Sequence, residues 1–174
     1  MRKFSAFISV LFFSCVVNAF EMDGFHSGMT RSEVTKLIAS RGLDAWSFGD
    51  TGLMIGSRTE SRSDVSLAFC SDSLSIYSRN INFNSDYIAT LEDFIARYGQ
   101  PRIRVTRQVF SGTGGGYVQT SEMVWYKNNE RIRLLVSPES RDGKGNLRFR
   151  TLASFDISTK NSCIGDKYYF FQKE

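Results

Sequence analysis

Residues 44–83, DAWSFGDTGLMIGSRTESRSDVSLAFCSDSLSIYSRNINF, decide the fold class. Apolar residues alternate with polar ones through most of the stretch: Trp46 and Phe48, Leu53 and Ile55, Val65 with Leu67 and Phe69, then Leu74 and Ile76. A period of two places these side chains on one face of an extended chain, so the stretch reads as four short strands. Asp50-Thr51-Gly52 and Ser71-Asp72-Ser73 carry turn chemistry, and the polar run from Ser57 to Asp64 is a longer loop between the middle pair. The same alternation sets Cys70 on the face opposite Leu67 and Phe69, at the outer face or edge of a sheet.

Working outward, helices flank this strand region. Thr30 precedes Glu33 by the three residues of a capping box, Val34, Leu37 and Ile38 share a helical face, and Gly42 follows Arg41 as a stop, which predicts a helix over Arg31 to Ser40. A second helix is expected from Asp86 to Tyr98, with Ile88, Leu91, Phe94 and Ile95 as its apolar stripe and Gly99-Gln100-Pro101 ending it. Further strands are expected at Ile103 to Phe110, Tyr117 to Lys127, Arg131 to Val136 and Leu147 to Ile157, with Asn128-Asn129 as a tight hairpin. Helix and four strands thus occur twice. The expected class is α+β, a tandem repeat of a helix followed by a four-stranded antiparallel meander with the helices on one sheet face. The first repeat would cover 20–84 and the second, with the C-terminal tail, 85–174, together one compact unit.

Residues 1–19 read as a cleaved secretory signal peptide: Arg2 and Lys3, an apolar run from Phe4 to Val17, and a cut after Ala19. That run is too short for a spanning helix, which takes about 20 residues. Lipidation at Cys15 is an alternative that the preceding Phe12 and Phe13 disfavour. Cleavage lowers the formal charge of the 174-residue precursor from +4 to +2, because Arg2 and Lys3 leave with the signal. A nearly neutral chain gives no reason to expect nucleic acid as a partner. Of three cysteines, Cys15 departs and Cys70 and Cys163 remain, a pair expected to form one disulfide in an oxidising compartment.

Gly28-Met29-Thr30, with Glu33, Val34 and Leu37, resembles the helix start of a group of small exported bacterial helix-plus-sheet proteins. The group includes outer-membrane-assembly accessory lipoproteins and the β-lactamase inhibitor protein. Tyr98-Gly99-Gln100-Pro101 is an echo in the second half. The resemblance implies a fold in which two helix-plus-sheet units lie in tandem; function has to be argued from the site.

Catalytic constellations are sparse. His26 is the single histidine, which excludes a two-histidine metal site; Glu21 and Asp23 beside it make a weak ligand set, and neither metal nor cofactor is expected. The glycine-rich run Ser111 to Gly116 lacks the Lys-Ser/Thr of a phosphate-binding loop and leads into a strand, so Gly114 and Gly115 read as a flexible hairpin tip available to a protein partner. The strongest pattern is charge: Arg104, Arg131, Arg133, Arg148 and Arg150 alternate with Ile103, Ile132, Leu134, Leu147 and Phe149, so all five should face away from the core. A solvated sheet face normally carries polar residues, but arginine throughout suits recognition of carboxylate or phosphate. Trp125 and Tyr126 are neighbours on one strand, so one of them should lie outside the core. The expectation is an exported, non-enzymatic periplasmic or secreted protein-binding module, an envelope-assembly accessory or an inhibitor. Its partner would be another envelope or periplasmic protein. The alternatives are an immunity-type inhibitor of one toxin or hydrolase and a small hydrolase using Asp or Glu pairs.

Overall fold

The capping box read at Thr30 forms: Glu33 N donates to Thr30 Oγ1 at 3.2 Å and Thr30 N to Glu33 Oε2 at 2.8 Å. The Thr30 hydroxyl also donates to Glu33 Oε2, at 2.9 Å, and the bonds that the Thr30 amide and then its hydroxyl give the Glu33 carboxyl hold it below its ordinary value. The helix they start, α1 (Arg31–Ser40), ends where Gly42 takes a φ of +64° and the amides of Gly42 and Leu43 return to the carbonyls of Ala39 and Ile38. That is the paired closure that lets a helix stop at a left-handed glycine. The computed structural model describes residues 20–57, 62–110, 116–127, 129–141, 147–149, 151–159 and Cys163; the expected signal segment 1–19 lies outside them.

Before α1, β1 (Glu21–Met22) and β2 (Phe25–His26) form a two-residue hairpin whose turn, Asp23-Gly24, has φ of +51° and +72°. After α1 come β3 (Ala45–Phe48), β4 (Gly52–Ser57), β5 (Arg62–Cys70) and β6 (Ser73–Ile81). Then α2 (Tyr87–Tyr98) leads to β7 (Arg102–Phe110), β8 (Gly116–Lys127) and β9 (Glu130–Ser137), with Asn129 at a φ of +65° in the last turn. β10 (Ser140–Arg141), β11 (Leu147–Phe149) and β12 (Leu152–Thr159) follow.

The expected α+β tandem repeat is corrected by this arrangement. Strand dominates, there are two helices among the described residues, and one antiparallel sheet of eight strands runs β3-β4-β5-β6-β12-β9-β8-β7. β12 unites it, pairing Ala153 to Ser158 with β6 on one side and Leu152 to Thr159 with β9 on the other. Burial is the reason: β12 hides Ala153, Phe155 and Ile157 on one face and Asp156 and Ser158 on the other, so its backbone has to be paired along both edges. The expected strand Leu147 to Ile157 is also broken, since β11 leaves the sheet to pair with β10.

One hydrophobic core joins the two halves. Its central row crosses the sheet through Leu53, Leu67, Tyr77, Ile157, Ile132 and Trp125, each opposite the next. Val34 and Ile38 of α1 and Phe94 of α2 close over this face. Phe94 meets Trp125 and Phe155 edge-on at 5.7 and 5.3 Å between ring centres, and Trp125 Nε1 donates to Gly99 O at 2.7 Å, satisfying a carbonyl just beyond the end of α2. Trp125 is therefore inside and its neighbour Tyr126 outside.

Candidate binding face

One residue away from the core row, alternation builds the opposite face. There the cross-sheet row reads Trp46, Met54, Ser66, Ser78, Asp156, Arg133, Val124 and Arg102, unbroken from edge to edge. Arg133 Nε and Nη2 both donate to Asp156 Oδ2, at 2.9 and 2.8 Å, and Nη1 reaches Glu122 Oε1 at 3.3 Å. The three residues are between 4% and 5% exposed. A buried guanidinium held between two carboxylates on the flanking strands has its charge compensated and its fork geometry fixed.

This corrects the expectation that five arginines form one open surface. Arg133 does lie on the face away from the helices, but it is buried and committed to its two acids. Arg131 is half-buried, opposite Ser158 and Tyr126. Arg104 is exposed on β7, opposite Glu122. Arg148 belongs to β11, off the main sheet; its side chain, Arg150, Gly114 and Gly115 lie outside the described residues. Arg102, passed over in the sequence, is exposed, with its guanidinium 5.9 Å from the centre of the Tyr126 ring. Its signal was there: Arg102 and Arg104 flank Ile103 at the start of a strand that follows a helix stop.

Among the described residues, β7 is an edge of the sheet. Its first four residues, Arg102 to Val105, are all exposed, Ile103 at 71% and Val105 at 57%. Such an edge offers backbone donors and acceptors to an incoming strand, with apolar side chains on one face and arginines on the other.

Cys70 and Cys163 are bonded to each other, their Cα atoms 5.5 Å apart. Asp23 accepts from the Tyr77 hydroxyl and pairs with Arg79 at 3.2 Å; burial first, then Asp23, holds the Tyr77 phenol above its ordinary value. Among the described residues, no group of three or more His, Cys, Asp or Glu side chains is placed to hold a metal ion, and no helix is long and apolar enough to cross a membrane. Comparison with known protein families and with curated proteins finds no match for this chain.

Proposed function

We propose that this protein is an exported, non-enzymatic binding module, an envelope-assembly accessory or inhibitor of the periplasm or the secreted space, that captures another polypeptide on the free edge of its sheet. The observation that carries this reading is the exposed run Arg102-Ile103-Arg104-Val105 on β7. A partner segment in extended conformation adds to β7 as a further strand, its backbone supplying affinity and its alternate side chains specificity. Acidic residues on one face of that segment meet Arg102; apolar ones on the other meet Ile103 and Val105. Self-pairing of β7 is opposed because like charges would face each other. The Cys70–Cys163 bond supports an oxidising compartment.

The test is photo-crosslinking in the export compartment from an unnatural residue at Ile103, with one at the exposed Ile88 of α2 as control. A discrete adduct is expected from position 103, carrying an alternating acidic and apolar segment of the partner. The change Arg102→Glu should remove it while circular dichroism and melting stay unchanged. An adduct that persists through the charge reversal refutes the reading.

A further inference from the structure

A pocket of about 250 Å³ opens on the face opposite the helices, lined from β3, β4, β5, β6, β12 and β9. Neighbouring strands lie about 4.8 Å apart, so six of them span roughly 24 Å when flat. The pocket touches all six, so it runs across the sheet. The space exists because Gly52, Ser66, Ala68, Ser78 and Ser154 supply little side-chain volume along its floor. Gly52 has no choice in this, since a Cβ there would stand 2.6 Å from Phe48 O. Phe48, Met54, Ile76 and Leu135 form apolar walls, and the Arg133–Asp156 ion pair lies at one end.

We propose that this pocket is a binding site for a small uncharged amphiphile, a short aromatic or aliphatic body with an amide or hydroxyl head. Size sets the first limit: sites for drug-sized ligands run from roughly 300 to 1,000 Å³, so this one takes a fragment. Chemistry sets the second. Serine hydroxyls both donate and accept, which suits a neutral polar head. Charge sets the third: Arg133 is already matched by Asp156 and Glu122, and Arg104 stands across from Glu122, so these two cations and two anions cancel. An anionic ligand would approach carboxylates that already hold the guanidinium, and a cationic one would meet no uncommitted counter-charge. Either would lose hydration without recovering it.

The experiment titrates the intact, disulfide-bonded protein with three probes of matched shape, phenylbutanamide, phenylbutanoate and phenylbutylammonium, followed by amide chemical shifts. The amide should bind saturably with a Kd on the order of 0.1 to 1 mM, at least about tenfold tighter than either charged probe. Ala68→Leu, which fills the floor, should weaken it at least about tenfold, and Ala68→Val serves if leucine disturbs folding. Replacing Ser66 and Ser78 by alanine together should narrow the amide's advantage over the charged probes. Absence of saturation, equal or tighter binding of a charged probe, or indifference to a folded Ala68 variant each overturns the proposal. Loss of the β7 adduct described above leaves it untouched, because no residue of β7 lines the pocket.

Discussion

Replacing Arg133 by methionine should be among the most damaging single changes on the sheet. Methionine keeps most of the volume and the apolar stem, so little of the loss comes from packing. What remains are two carboxylates, Glu122 and Asp156, on the strands either side of β9, with side chains 6% and 5% exposed and no cation between them. Removing one partner of a buried pair typically costs about 3–5 kcal/mol, a large share of the 5–15 kcal/mol by which domains are generally stable. With a urea slope of about 2 kcal/mol per molar, the midpoint should fall by roughly 1.5–2.5 M. Trp125, buried in the core, gives the fluorescence signal. The triple change Glu122→Leu, Arg133→Met and Asp156→Leu should recover most of the loss, because apolar replacement of a whole buried network is often neutral or better. A drop under about 1 kcal/mol for Arg133→Met, or a triple variant weaker than the single one, would show that the three charges do not act as a unit.

Two further predictions concern stability. Glu130 is buried, its Oε1 has no hydrogen-bond partner among the described residues, and burial pushes its carboxyl up to about 7 against the opposing pull of Lys127. Its native carboxyl therefore keeps a proton that the unfolded one, near 4.5, has released, so this contribution is full below about pH 4.5 and is lost as pH rises through about 7. Glu130→Gln should gain about 1–2 kcal/mol at pH 8, after discounting for solvent screening, and nothing near pH 4.5; urea curves that stay parallel at the two pH values would contradict this. For the disulfide, Cys163→Ser opens a crosslink between residues 93 apart. The expected loss is about 2–5 kcal/mol, matched by the wild-type chain in reductant, and a reduced wild-type chain that melts unchanged would refute it.

Features governed by near neighbours were legible in the sequence. The start of α1 depends on Thr30 and Glu33, three residues apart, and its end on Gly42. Both are visible because each hydrogen bond involved closes within one helical turn or so. Period-two alternation correctly separated Trp125 from Tyr126 and correctly named the strand faces of Arg131 and Arg133. The β1–β2 hairpin was missed: Phe20 to Ser27 reads as an exposed leader, although Asp23-Gly24 is a favoured tight-turn pair, and Phe20 and Phe25 are instead buried in the core. The pairing of Cys70 with Cys163 followed from there being no other cysteine once Cys15 is set aside.

What the sequence by itself determined is therefore where the helices begin and end, which cysteines can pair, and which residues of an unbulged strand share a face; it did not determine that Trp46, Phe48 and Ile76 lie opposite Leu53, Leu67 and Leu74. Only the tertiary structure decided which strands lie side by side. β12 sits between β6 and β9, and that placement overturned the tandem repeat, buried Arg133 between acids 11 and 23 residues away, and lined one pocket from six strands. The physical reason is that alternation is a property of one strand, set by local backbone geometry. Register between strands is set by the burial of the whole sheet at once, and it alone determines whether an arginine pointing away from the core meets water or two carboxylates.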